Sequence, residues 1–186
     1  MKPNYVFWNG YFPESYVNTL LSIVNLQETS EGKTLDPENT PRVRDSQVSF
    51  INGPSFDNPD LRIIYLETKD LVAQANKWWN FDLYEEQHTV QLTKYSNKNS
   101  RYEWHNDSDF LFQGNDSAMS RKVSLSVVLQ EAKKGGVFEM ETGVEGYDHK
   151  PGSVIVFPSF KKHRVTAVEK GERISIVSWT NGSEWR

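Results

Sequence analysis

Apolar and polar positions follow two different rhythms along this chain, and the rhythm changes near the middle. In the first half, Tyr16, Val17, Leu20, Leu21 and Val24 recur at the spacing of one helical stripe. Pro13 suits a first helical turn, where its missing N–H costs nothing. This predicts a helix over Glu14–Leu26. A loop rich in Gly, Pro, Asn and acids follows, from Glu28 to Pro41, and then a short alternating strand, Gln47–Ile51, closed by Asn52-Gly53-Pro54. A second helix is predicted between Pro59 and Asn80. Leu61, Ile64, Tyr65, Leu71, Val72, Ala75, Trp78 and Trp79 share its broad apolar face, with the aromatic end packed against a sheet.

From Thr89 the pattern is of short strands and turns. Val123, Leu125, Val127 and Leu129 alternate with Ser124, Ser126 and Gln130, a strand with one buried face. Lys134-Gly135-Gly136 reads as a turn, Gly143 to Gly152 as a polar loop, and Val154–Phe157 as a fully apolar strand ended by Pro158. Lys170-Gly171-Glu172 turns tightly between two strands. The predicted fold class is α+β, mainly β: a jelly roll, or double-stranded β-helix, with supporting N-terminal helices on its outside. One domain is expected over 1–186, with helical support mostly in 1–85 and the jelly-roll core over about 88–182.

Length and composition agree with a single globular unit. The 186 residues are 37% hydrophobic and 25% charged, enough for one substantial core and unlike a disordered chain. The 21 Lys and Arg against 25 Asp and Glu give a net charge of −4, which argues against a basic nucleic-acid footprint. The absence of cysteine excludes disulfides, thiolate metal sites and cysteine nucleophiles. No apolar run approaches a membrane span, and Met1-Lys2-Pro3-Asn4-Tyr5 lacks the apolar stretch of an export signal. The expected location is the cytoplasm, so the Asn-x-Ser sequons at Asn106, Asn115 and Asn181 carry no weight.

The candidate chemistry begins at His105-Asn106-Asp107. On a strand, residues two apart point the same way, so His105 and Asp107 can address one point. Two imidazoles and one carboxylate on one face hold iron(II) in oxygenases with positions left open. This pair supplies two of the three, and a surface turn is the plain alternative. His163 follows the apolar strand, and Arg173 lies ten residues beyond it, across the Lys170-Gly171-Glu172 turn. Arg173 and Ser175 share a strand face opposite Ile174 and Ile176. An Arg facing a barrel interior calls for an anion that its planar fork can grip. Its alternative is an exposed rim residue paired with Glu172 or Glu169. His88 reads as surface or packing, and His149 as packing or as part of a substrate entrance. Asp109 is a second candidate carboxylate.

The order His105-x-Asp107, His163, Arg173 resembles the iron(II)- and 2-oxoglutarate-dependent oxygenases, and more closely the prolyl 4-hydroxylase-like group that includes the PKHD-type hydroxylases. Also matching are Arg44-Asp45-Ser46, Tyr95, Tyr102 to Asp107, Arg121 to Ser126, Gly135-Gly136, Gly152 to Ser159 and Gly171 to Ser175. The resemblance implies His105, Asp107 and His163 as ligands of Fe(2+), which favours Asp107 over Asp109. It implies Arg173 as the partner of the distal carboxylate of the cosubstrate 2-oxoglutarate, with Tyr95 beside it. Tyr102 lines the site in relatives, and Ser175 adds a hydroxyl. Val137-Phe138-Glu139 departs from the family, where an acidic residue often follows the glycine pair sooner.

Three function classes follow from the resemblance. The first is a dioxygenase that consumes O2, hydroxylates a prolyl residue of a peptide or protein and releases succinate and CO2, with L-ascorbate as reductant. The second applies the same chemistry to a free amino acid or other small molecule. The third is a non-catalytic jelly-roll binding domain, against which the full ligand set argues. Related halogenases lack the carboxylate, so Asp107 favours hydroxylation. Loops Glu28–Pro41 and Ser108–Ser120 are expected to wall a substrate groove. Neither nucleic acid nor membrane is an expected partner.

Overall fold

The computed structural model describes the chain except residues 1, 25–28, 34–37, 39–42, 52–56, 109–110, 114–117 and 186. In chain order the elements are β1 (Val6–Trp8), α1 (Glu14–Val24), β2 (Ser30–Glu31), β3 (Arg44–Asp45), β4 (Gln47–Ile51), α2 (Pro59–Asn76), β5 (Leu83–Tyr95), β6 (Arg101–His105), β7 (Leu111–Gln113) and β8 (Ala118–Gln130). Then come β9 (Lys134–Gly135), β10 (Phe138–Met140), β11 (Val154–Pro158), β12 (His163–Val165), β13 (Val168–Lys170) and β14 (Arg173–Ser183). The fold is mainly β, and every recorded strand pairing is antiparallel. One sheet runs β1-β11-β8-β14-β5-β4-β2, with β7 alongside β8; a second runs β10-β12-β6-β3. β13 and β9 form a small ribbon.

Each helix forms where the sequence supplies both a stripe and a start. The Asn58 side chain caps α2 by accepting from the N–H groups of Asp60 and Leu61 at 2.9 and 3.3 Å, and Pro59 occupies the first turn. α2 stops at Asn76, short of the predicted Asn80. Trp78 and Trp79 lie in the turn after it, and Asn80 takes a left-handed conformation at φ 54. The two tryptophans therefore part company. Trp79 is buried and its indole N–H donates to the Pro3 carbonyl at 2.8 Å, whereas Trp78 is 60% exposed. α1 buries Val17, Leu20 and Val24; its predicted last positions, Asn25 and Leu26, lie outside the described residues.

The second half departs from the expectation in two ways. Its main strands are long rather than short: β5, β8 and β14 span 13, 13 and 11 residues. β5 begins at Leu83 and so takes in His88, whose ring is buried within the strand. The Ser124–Ser126 face of β8 is also not a solvent face, because both faces are buried. Val123, Leu125, Val127 and Leu129 join the core beneath α1 and α2, while Ser124 and Ser126 face a cavity on the other side of the sheet. The same division holds on β5, where Val90 and Leu92 face the helices and Gln91, Thr93 and Tyr95 the cavity, and on β14. Burying each apolar side chain contributes about 1.5–3 kcal/mol; the opposite rows are free to carry chemistry.

Two predicted loops need correction. The Lys134-Gly135-Gly136 turn contains a strand residue pair, with both glycines at positive φ. A Cβ on Gly135 would stand 2.1 Å from the Ala167 carbonyl oxygen, so no other residue fits. Within Ser108–Ser120, Leu111–Gln113 pairs with Ala118–Ser120 as β7 against β8. Most of the Glu28–Pro41 loop, the Asn52-Gly53-Pro54 turn and Asp109 lie outside the described residues.

His88 bridges α2 and β14, with one ring nitrogen 3.1 Å from the Thr68 hydroxyl and the other 2.8 Å from that of Thr180. Burial, and then the charge of Lys69, push its pKa down to about 4. The unfolded chain therefore binds an extra proton between about pH 6.5 and 4. The stabilising effect of neutral His88 is complete above that window and is lost as pH falls through it, by about 3 kcal/mol at most. Urea unfolding at pH 7 and pH 4.5 tests this: His88→Gln should reduce the pH dependence, and an undiminished dependence counts against it.

Candidate active site

His105 is the last residue of β6, and Asp107 lies beyond the strand, so strand alternation does not align them. A backbone anchor does. The N–H groups of Asp107 and Ser108 both donate to the Ser159 carbonyl, at 2.8 and 3.2 Å. Ser159 is in turn tied to β8 through its N–H to the Lys122 carbonyl at 2.9 Å. β12 starts at His163 and pairs with β6, so that His163 stands directly opposite His105 with ring centroids 4.2 Å apart.

Both histidines are oriented by the same local device. Nδ1 of His105 lies 2.7 Å from the Glu103 carbonyl, and Nδ1 of His163 lies 2.9 Å from the Lys161 carbonyl. A carbonyl only accepts, so each Nδ1 carries the proton and each Nε2 presents a lone pair. Those Nε2 atoms lie 3.6 and 3.5 Å from the two oxygens of Asp107. The Ser124 hydroxyl donates to Asp107 Oδ2 at 2.7 Å and lies 2.9 Å from the Ser159 hydroxyl. Tyr102 stacks on the His105 ring at 3.4 Å, and Phe157 packs edge-on to His163 at 4.7 Å.

The ionisation states suit a metal. Burial raises the Asp107 carboxyl, but His163, His105, Arg121 and the Ser124 hydrogen bond outweigh it and hold it at about 2. Burial and the adjacent His163 push His105 down to about 3, against the opposing pull of Asp107. At neutral pH the site thus offers a neutral His105 imidazole beside an ionised carboxylate. The donor atoms of His105, Asp107 and His163 all lie within 4.8 Å of one another. Two imidazole nitrogens and one carboxylate oxygen with oriented rings fit iron(II) and its divalent neighbours.

Arg173 opens β14 opposite Tyr95 of β5. It is 2% exposed, and among the described residues its Nε has no hydrogen-bond partner. The carboxylates that might have explained it lie elsewhere. Glu172 accepts from Ser96 and Gln130, and Glu169 pairs with Lys134. Among the described residues no carboxylate is recorded in hydrogen-bonding contact with this buried cation. Arg173, Ser175, Tyr95, Tyr102, His105, Asp107 and His163 all line one cavity, so every site residue expected from the sequence converges there.

Other residues went unassigned in the sequence. Ser124 supports the carboxylate but read as part of a solvent face. A groove of about 350 Å³ leads outward from Asp107 between Arg44, Phe50, Tyr102, Arg121 and Trp179. The Arg121 guanidinium sits 3.9 Å above the Trp179 ring. Arg44 and Arg121 lie in stretches that matched the family, but matching alone assigned them no task. His149, a candidate for the substrate entrance, instead packs its ring against Tyr147 at 4.6 Å.

A family model described as the 2OG-Fe(II) oxygenase superfamily matches residues 90–181. A PKHD-type hydroxylase of Prochlorococcus marinus is 30% identical over 102 residues, which cover 54% of this chain and 44% of that protein. The chain thus spans less than half the length of that relative. Among solved structures, a prolyl-4-hydroxylase of Pseudomonas putida superposes with a TM-score of 0.70 at 21% identity, covering 95% of this chain and 91% of its own. A Trichoplax adhaerens prolyl hydroxylase, solved with a peptide fragment of the hypoxia inducible factor oxygen degradation domain, gives 0.71 at 18% identity, covering 95% and 83%. These structural likenesses show a shared fold.

Calorimetric titration with manganese(II) tests the donor set. His163→Ala should all but abolish tight binding. Ser124→Ala, which keeps every ligand but frees the carboxylate, should weaken it by about tenfold. Unchanged affinity in His163→Ala would remove that residue from the site.

Proposed function

We propose that this chain, which belongs to the 2OG-Fe(II) oxygenase superfamily, is a dioxygenase that hydroxylates a substrate C–H bond, with a prolyl residue of a peptide or protein as the favoured substrate. The family's cofactor is Fe(2+) and its cosubstrate 2-oxoglutarate. The observation that carries the reading is a single cavity with the His105, Asp107 and His163 donors at one place and the unpartnered Arg173 at another. We read the two antiparallel sheets that line this cavity as the halves of a double-stranded β-helix.

When bound, iron(II) and 2-oxoglutarate together with O2 supply the oxidising power, with succinate and CO2 released as one oxygen atom enters the substrate. The protein's residues do the rest. His105, Asp107 and His163 hold the metal on one side and leave the other side for ligands. Arg173 receives the distal carboxylate, and the Tyr95 hydroxyl and Ser175 share its wall. Phe138 and Phe157 exclude water behind His163. The groove between Arg121, Trp179 and Phe50 admits the substrate beside Asp107. Its aromatic surface suits a prolyl ring, and its guanidinium groups suit peptide carbonyls. They suit the carboxylate of a free amino acid equally, which keeps a small-molecule substrate as the second reading.

Two measurements follow. A charge-assisted hydrogen bond contributes about 1.5–3 kcal/mol, or roughly tenfold to more than a hundredfold in affinity. Arg173→Ala should therefore raise the apparent KM for 2-oxoglutarate by at least about tenfold, and Arg173→Lys should recover only part, since an ammonium lacks the planar fork. Wild-type cosubstrate affinity in Arg173→Ala would rule the role out. A mass-spectrometric screen of prolyl peptides against free amino acids, scoring the gain of one oxygen atom, separates the two substrate classes.

A further inference from the structure

Three buried polar atoms without a hydrogen-bond partner among the described residues belong to one neighbourhood: Arg173 Nε, Tyr147 Oη and His149 Nδ1. Tyr147 and His149 come from the loop between β10 and β11, and their rings meet edge to face at 4.6 Å. Burial lowers the Arg173 pKa, and Tyr147, Tyr95 and Glu131 oppose it. Arg173 acts in turn on both Tyr147 and His149. Tyr147 shares an apolar cluster with Tyr95, Val128 and Val168, and Tyr95 stands opposite Arg173 at the start of β14.

The loop is held firmly in this position. Asn9 donates from its side-chain amide to the Gly146 carbonyl at 2.8 Å and accepts from the Asp148 N–H at 3.2 Å. The Ser153 hydroxyl donates to Asp148 at 2.6 Å and accepts from the Gly10 N–H at 2.9 Å. His149 itself sits at φ 58, a left-handed conformation that a histidine adopts at a cost and that a surrounding framework must enforce.

The three unpartnered atoms are chemically matched. Arg Nε–H only donates, a tyrosine hydroxyl both accepts and donates, and Nδ1 of a neutral imidazole accepts when the proton is on Nε2. We propose that Tyr147 and His149 are positioning residues for Arg173: on binding of a dicarboxylate the three close into a relay, Arg173 Nε–H to Tyr147 Oη–H to His149 Nδ1, which fixes the guanidinium so that its remaining N–H groups face the distal carboxylate. Tyr95 walls the cavity and Tyr147 does not, so the two tyrosines have different tasks. This inference rests on the reading of Arg173 as the carboxylate partner, and it adds that the loop sets the preference for a dicarboxylate over a monocarboxylate 2-oxo acid.

The test is calorimetric binding, without turnover, of 2-oxoglutarate and of 2-oxobutyrate, which lacks the distal carboxylate, to the manganese(II)-loaded protein. Tyr147→Phe keeps the ring and its contacts but removes the hydroxyl. It should weaken 2-oxoglutarate by roughly threefold to tenfold, the worth of one hydrogen bond, and leave 2-oxobutyrate unchanged. His149→Phe should do the same, whereas His149→Asn, which keeps an acceptor and tolerates the left-handed backbone, should restore part of the loss. A merely structural role predicts an equal loss for both acids together with a lower melting temperature, and that result overturns the relay. So does an unchanged affinity ratio in Tyr147→Phe while Arg173→Ala abolishes the preference. If Arg173→Ala leaves the preference intact as well, the role of Arg173 falls with it.

Discussion

The arrangement turns on how Asp107 is buried. A carboxylate removed from water must be compensated, and a lysine or arginine in contact would do so while occupying the oxygens that a metal needs. Here the nearest partners are two oriented imidazoles and the Ser124 hydroxyl. The Arg121 charge helps to hold the carboxyl ionised. Each imidazole has its proton committed to a backbone carbonyl two residues earlier, so both point lone pairs at the same space as the carboxylate. The result is a cluster of donors whose most favourable partner is a cation from solution.

That requirement propagates into the sheets. To bring His163 opposite His105, β12 pairs with β6 through a register shift between His163 and Val165. To hold Asp107 past the end of β6, the turn after β11 receives two N–H donors on the Ser159 carbonyl. To reach the carboxylate with Ser124, β8 turns a row of small polar side chains inward. β5, β8 and β14 are thus two-sided: aliphatic residues pack beneath α1 and α2, and serine, threonine, glutamine, tyrosine and arginine face the cavity. The helices supply an apolar layer that frees the other face of the sheet from having to build the core.

A second buried charge completes the cavity. Arg173 lies where the β9–β13 ribbon meets the main sheet, and the glycine pair permits the approach. A Cβ on Gly136 would press on Ala132 and Val168 at 3.1 Å and stand 3.4 Å from the Arg173 Cβ. Tyr95 faces Arg173 across the β5–β14 pairing, and the guanidinium is buried. Its Nε has no hydrogen-bond partner among the described residues.

The sequence by itself determined the local terms. Pro59 marked a helix start, Lys134-Gly135-Gly136 a turn, and His105-x-Asp107, His163 and Arg173 named the candidate chemistry in its order. These are readable because each depends on residue type and short-range geometry. Only the tertiary structure decided which face of a strand meets solvent. The serines of β8 alternate as on a half-exposed strand, and the pattern is the same whether water or a polar cavity covers them. His88, set between Thr68 and Thr180, and the trio of Arg173, Tyr147 and His149 also became visible only in the fold. Thr180 is 92 residues from His88 in the one case, a loop meets the start of a distant strand in the other, and no periodicity in a sequence encodes such a meeting.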